Sequence, residues 1–278
     1  MTVRELKLTA AKARLLGLEM VYRADSGHIG GSFSSVDAMT ELYFEVMRID
    51  PANPHDPGRD RFVLSKGHCT PALYSVLALR GYFPLEDLEL FRSIKGHYSG
   101  HPDMVHVKGV DMSTGSLGQG LAAAGGMALA GKMDGRDYRV YAMMGDGEIE
   151  EGEIWESAMA IHKYKLDNLC GIVDVNGLQI DGATADVMPS EPLDAKFAAF
   201  GWHVIKADGH DFESLRAAFA EAAATKGVPS VILMKTVKGK GVSFMENNAG
   251  WHGKAPNAEQ YAAAHAELEA AIAELEVE

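Results

Sequence analysis

The feature that most constrains this chain is an alternation of short apolar runs with longer helical patterns. Runs at 61–64, 139–144, 169–175, 202–206 and 231–236 are short and rich in Val, Ile, Leu and Met. Between and around them, apolar residues recur at helical spacing over 9–23, 35–46, 70–80, 117–132, 150–164, 212–225 and 257–277. Short, nearly continuous apolar strands separated by helices imply a parallel sheet buried on both faces, an α/β fold.

The 278 residues suffice for one large domain and are too few for two full-sized ones. The expectation is a single unit over 1–278 with a C-terminal helix at about 257–277. A net charge of −13 disfavours nucleic acid and anionic membrane surfaces as partners. An anionic ligand must therefore be held by local dipoles, a cation or the basic groups of a partner. No apolar stretch reaches the roughly 18 residues of a membrane span, and the N-terminus lacks a signal-peptide pattern. Two cysteines make no disulfide framework, so a reducing cytoplasm fits best. Cys170 lies in an apolar run and reads as core. Cys69 follows His68, which leaves a nucleophile reading open.

The run 139–144 leads into Gly145-Asp146-Gly147-Glu148, a helical pattern follows, and 169–175 leads into Asn176-Gly177-Leu178-Gln179-Ile180. This is a βαβ unit, so its parallel strands end on one edge of the sheet and bring Asp146 and Asn176 together. A carboxylate, an amide oxygen and a nearby carbonyl suit a hard cation such as Mg²⁺ or Ca²⁺ that shares its shell with phosphate. Glycines flanking Asp146 admit a diphosphate to the backbone. Taken singly, Asp-Gly and Asn-Gly are ordinary turns; their equivalent placement in one βαβ unit favours a site. The segments 96–114 and 238–256 are long and rich in Gly, His and Asn, as binding loops are. The histidine spacings do not suit zinc or iron, and Gly115 to Gly120 lacks nicotinamide-type glycine spacing.

Gly-Asp-Gly followed some thirty residues later by Asn resembles the thiamine diphosphate motif. The segments Ser-Gly-His (26–28), Asp-Arg-Phe-Val-Leu-Ser-Lys-Gly-His (60–68), Ser-Gly-His-Pro (99–102) and Thr-Gly-Ser-Leu-Gly-Gln-Gly (114–120) resemble transketolase. So do 174–182 and 235–253. The resemblance implies a thiamine diphosphate-binding fold of the diphosphate-binding type. It assigns Asp146, Asn176 and the Leu178 carbonyl to the metal, Mg²⁺ with Ca²⁺ or Mn²⁺ as alternatives. It places Gly147 at the diphosphate, Gly115 and Leu117 on the aminopyrimidine side, and Ile180 against the thiazolium. His68 and His252 fall near the diphosphate and the reacting carbon, and His28 and His101 in the substrate channel. Neutral imidazoles suit the proton movements of ketol transfer. Glu151 and Glu156 match glutamates that link two active sites across a subunit interface, although acidic residues in a first helical turn are also favoured by the helix dipole. Lys238 and Lys240 suit phosphate and solvent equally. His97 stays undecided, and His55, His106, His162, His203, His210 and His265 read as surface or core. Ile29 and Ser116 stand where the family often has Pro, which marks a specialised subfamily.

In the family, the glutamate that contacts the aminopyrimidine comes from a second domain outside the matched region. The resemblance therefore implies the N-terminal subunit of a split transketolase, acting on sugar phosphates. A C-terminal subunit would carry the pyrimidine-binding domain, with self-association to α₂β₂. Two other readings share parts of the pattern. One is half of a 2-oxoacid dehydrogenase E1 or deoxyxylulose-phosphate synthase. The other is a non-catalytic regulatory subunit.

Overall fold

The computed structural model describes residues 1–277. Its centre is a five-stranded sheet of β1 (Arg61–Leu64), β2 (Val140–Gly145), β3 (Leu169–Val175), β6 (His203–Asp208) and β7 (Ser230–Lys235). The strands are all parallel, in the order β1-β2-β3-β7-β6. β2 and β3 are neighbours, with Val140 opposite Leu169, as the βαβ reading requires. A small antiparallel hairpin of β4 (Leu178–Gln179) and β5 (Gly182–Ala183) follows β3.

Side chains alternate across the sheet and build two cores. Phe62, Tyr141, Cys170, Ile172 and Ile232 face a layer of α1 (Val3–Arg23), α2 (Ile29–Glu41), α3 (Thr70–Arg80) and α8 (Phe212–Ala224). Val63, Ala142, Met144, Val173 and Val231 face α4 (Gln119–Met133), α5 (Gly152–Lys163) and α7 (Leu193–Ala199). The four-residue helix α6 (Thr184–Val187) lies in the excursion after β5, and α9 (Ala258–Val277) returns to α1, where Tyr261 stacks on Tyr22 at 3.9 Å.

The boundaries differ from expectation where local chemistry intervenes. α1 starts at Val3 because Thr2 and Glu5 form a reciprocal capping box. α2 begins six residues before the expected 35, at Ile29, and every one of its residues is buried; packing overrides the low helix propensity of Gly-Gly-Ser. At Leu42–Val46 it passes into a wider π turn. α4 starts at Gln119 because Gly118, at φ +90°, cannot be helical. β4, β5, α6 and α7 are too short to give a periodic signal.

After β3 the chain runs to the sheet edge as β6 and returns as β7 between β3 and β6. The carboxyl ends of β1, β2, β3 and β7 therefore open side by side, where ligands bind in open α/β sheets.

Candidate functional site

Each strand end contributes side chains to one cavity of about 320 Å³. β1 delivers Lys66 and His68, β2 Asp146 and Gly147, β3 Asn176, Leu178 and Ile180, and the loop after β7 Lys238 and His252. His28 enters from the start of α2, and His101, Gly115 and Leu117 from the long loop before α4. Thus the residues assigned to metal, diphosphate, rings and channel all meet. Glu151 does not join them: it is exposed at the N-cap of α5, and Glu156 is also exposed.

The floor is an oxygen set. Asp146 is 3% exposed. It accepts the Gly147 N–H at 3.0 Å and the Gly177 N–H at 2.6 Å. Burial, then the nearby Asp174 charge, pushes its carboxyl up to about 6, so a divalent cation there relieves a destabilised carboxylate. Asn176 Oδ1 accepts the Leu178 N–H at 3.1 Å. The Leu178 carbonyl already meets a cation, the Lys238 ammonium, at 3.3 Å. Among the described residues no three His, Cys, Asp or Glu side chains gather around a metal position. One carboxylate, one amide oxygen and one carbonyl make a hard-cation set that expects phosphate oxygens to complete it.

Above this floor lie three imidazoles. His28 and His68 are 5.0 Å apart, His68 and His252 5.1 Å, and His28 and His252 5.5 Å between ring centres. Burial first, then neighbouring lysines for His68 and His252 and the nearby His68 and Arg92 for His28, pushes His28 and His68 down to about 4 and His252 to about 3. All three are neutral near pH 7, each with one N–H and one free lone pair. His252 Nδ1 accepts a hydrogen bond from Lys238 Nζ at 3.0 Å, which leaves Nε2 as its donor. His28 Nδ1 is buried with no partner, a polar atom waiting for a ligand. His101 lies at the exposed rim, where partial desolvation, then the Arg92 and His68 charges, lowers it. At Gly31 a Cβ would stand 3.0 Å from Cys69 Sγ, and at Gly147 3.2 Å from Gln179 Cβ. A side chain at either position would crowd its neighbours, so bare backbone lines the cavity there. The oxygen set, the glycines and the unpartnered imidazole together fit a metal-bound diphosphate with a reactive ring above it.

Three buried charges, Lys66, Asp174 and Glu148, escaped sequence reasoning, and a fourth, Lys238, was left between phosphate and solvent. Lys66, 2% exposed, bonds the fully buried Asp174, which also accepts from Ser34 Oγ at 2.6 Å and from Thr236 Oγ1. Burial opposes both charges, but the pair outweighs it and holds Lys66 up and Asp174 down. Glu148, 3% exposed, takes Ser65 Oγ and the N–H groups of Gly118 (2.9 Å) and Gly145 (3.1 Å), tying three loops together. Lys238, 2% exposed, lies in the cavity rather than in solvent, whereas Lys240 pairs with Glu246 at 3.3 Å. Nothing in a loop sequence distinguishes such charges from solvated ones. Cys69 is fully buried and burial raises its thiol, which removes the nucleophile reading. His97 stacks on His106 outside the cavity.

A family model described as transketolase, thiamine diphosphate binding domain, matches residues 6–274. The chain is 45% identical over 278 residues to one of the subunits of the apulose-4-phosphate transketolase of Phocaeicola vulgatus, covering 100% of this chain and 99% of that one. It is 47% identical over 265 residues to the 6-deoxy-6-sulfo-D-fructose transketolase subunit SqwG of Clostridium sp., covering 95% and 96%. Rat transketolase is 42% identical over 253 residues, but the match spans only 40% of that protein. The fold matches the crystal structure of transketolase from Campylobacter jejuni with a TM-score of 0.91 at 31% identity, over 99% of this chain and 46% of that one. The chain thus spans less than half of these two longer transketolases and nearly all of the two relatives named as subunits. No helix of the described residues is long and apolar enough to cross a membrane.

Proposed function

Since this chain belongs to the transketolase family, as its thiamine diphosphate-binding domain, we propose that it is the N-terminal subunit of a transketolase split over two chains. It acts in the cytoplasm with a C-terminal subunit that carries the pyrimidine-binding domain, in an α₂β₂ assembly. Together they move a two-carbon ketol unit from a ketose phosphate to an aldose phosphate. The observation that carries this reading is the meeting, in one cavity, of the Asp146–Asn176–Leu178 oxygen set and three neutral histidines. Open apolar groups at the rim, Leu117 at 37% and Ile180 at 67% exposure, suit a face that a partner completes.

The chemistry that thiamine diphosphate supplies when bound is a nucleophilic carbon able to carry the ketol unit. This chain's residues do the rest. Asp146, Asn176 and the Leu178 carbonyl hold Mg²⁺, or Ca²⁺ or Mn²⁺ in its place, against the diphosphate. Lys66 and Lys238 add positive charge that the acidic chain otherwise lacks. Gly147 gives the diphosphate access to bare backbone, and Gly115, Leu117 and Ile180 flank the cofactor's rings. His252 donates from Nε2 to a substrate oxygen. His28 Nδ1, His68 and His101 hold or accept protons from substrate hydroxyls.

Co-purification with the partner subunit, followed by a ketol-transfer assay with thiamine diphosphate and Mg²⁺, tests this reading. Transfer activity that requires both chains supports it. Decarboxylation of pyruvate in place of transfer would assign the complex to another class of thiamine enzyme.

A further inference from the structure

His210 stands on the loop between β6 and α8, outside the cavity. Its ring makes two hydrogen bonds. Nδ1 lies 2.7 Å from a carboxylate oxygen of Asp37, and Nε2 takes the Val237 N–H at 2.9 Å. A backbone amide can only donate, so Nε2 carries no proton. Nδ1 must then hold the ring's proton and donate it to Asp37. The two bonds fix both the tautomer and the orientation of the ring.

The anchor on the Asp37 side is rigid. Arg14 of α1 grips Asp37 of α2, with Nη1 at 3.0 Å from Oδ1 and Nη2 on Oδ2. The two residues are 7% and 5% exposed. Burial works against the Asp37 carboxylate, but Arg14 and His210 outweigh it and hold the group down to about 2. Two core helices therefore fix the position of His210.

The opposite bond ends one residue before Lys238. The β7 ladder has closed by then, with Thr236 N–H on the Val175 carbonyl at 3.1 Å, and the next turn is pinned by Gly239 N–H on the Gly30 carbonyl at 3.0 Å. Lys238 lies between these pins, its Nζ within reach of the Leu178 carbonyl and His252 Nδ1. Burial disfavours the charge on Lys238, and Lys66 repels it. A flexible lysine in such a place moves to water when its backbone is released.

We propose that His210 is a positioning residue for the cofactor site, holding Lys238 in the cavity through the Val237 N–H and thereby setting the His252 ring and the Leu178 carbonyl. The inference rests on the reading that this cavity binds thiamine diphosphate with a metal.

Two substitutions separate the bonds, because Asn reproduces the Nδ1 position and Gln the Nε2 position. His210→Asn can still donate to Asp37 but loses the Val237 N–H. His210→Gln can still accept the Val237 N–H but loses the bond to Asp37. The complex with the partner subunit is measured for Tm and for thiamine diphosphate affinity in Mg²⁺. His210→Asn is expected to bind the cofactor about 10- to 100-fold more weakly, the usual loss for a supporting group behind a metal site. His210→Gln keeps most of the affinity while its Tm falls. Lys238→Met and the double variant Lys238→Met/His210→Asn bind equally, because one residue acts through the other. Losses of affinity that follow Tm in both His210 variants, or that add to the loss from Lys238→Met, overturn the role of His210. A wild-type complex that binds no thiamine diphosphate overturns the cofactor reading beneath it.

Discussion

Replacing Asp174 with Asn tests the buried charge that supports the site. Asp174 is 0% exposed and bonds Lys66 Nζ, Ser34 Oγ and Thr236 Oγ1. Asn has nearly the same shape, but it leaves the Lys66 ammonium without a counter-charge and turns an N–H₂ toward groups that donate. Breaking a buried pair from one side costs about 3–5 kcal/mol. At roughly 2–4 °C per kcal/mol for a chain of this size, Tm falls by about 6–20 °C. The pH dependence has a definite sign. In the wild type, burial disfavours the Lys66 charge but Asp174 outweighs it and raises the group. That contribution is present below the unfolded pKa and is lost as pH rises through the folded one. In Asp174→Asn the largest raising influence is gone and burial, the first-ranked cause, outweighs the weaker pull of Cys69 and Asp146, so Lys66 is expected to fall below its unfolded value and the folded state to bind fewer protons. The variant's stability then rises with pH, and the gap to the wild type narrows. Thermal melts give the Tm change, and urea unfolding at about pH 7 and about pH 9.5 gives the pH dependence of the gap. A drop in Tm under about 2 °C, or a gap that does not change with pH, refutes the reasoning. If the variant does not fold, Lys66→Met/Asp174→Leu should restore most of the stability, since an apolar pair removes the uncompensated charge.

Asp146→Ala should abolish ketol transfer by the complex at any practical Mg²⁺ concentration while leaving the far-ultraviolet circular dichroism unchanged. Because His28, His68 and His252 are held neutral and pushed down to about 4, 4 and 3, the folded state binds fewer protons than the unfolded one below about pH 6.5. Stability should therefore fall on acidification from there, and His252→Gln should reduce the slope by up to one proton in urea titrations. Gly120→Ala places a Cβ 2.4–2.6 Å from Ser65 Oγ, Cβ and Cα. Part of that contact is backbone, so overpacking of about 1–3 kcal/mol or more should appear as a lowered Tm, together with weaker cofactor binding as Ser65 and Glu148 shift.

The sheet and the site were legible to different degrees. Strands 61–64 and 169–175 were readable to the residue because fully buried parallel strands are continuous apolar runs. Asp146 and Asn176 were readable because a βαβ unit must bring its strand ends together, and the histidines because their Gly-rich contexts resemble a known family. The start of α2 was hidden because Gly-Gly-Ser-Phe-Ser-Ser carries weak helical propensity and only burial on all sides makes it helical. Lys66 and Glu148 were hidden, and Lys238 left undecided, for a related reason. A charged side chain in a loop reads as solvated until the fold shows what pairs with it. His210 looked like an ordinary surface or core histidine, since its two partners lie 173 and 27 residues away in sequence.

The most direct test of the central claim is a calorimetric titration of thiamine diphosphate into the complex of this chain with its partner subunit, with and without Mg²⁺. The account predicts one cofactor per copy of this chain, with binding lost when the metal is chelated or Asp146 is replaced by Ala. Absence of binding to the assembled complex, or binding of equal strength without a divalent cation, would contradict it.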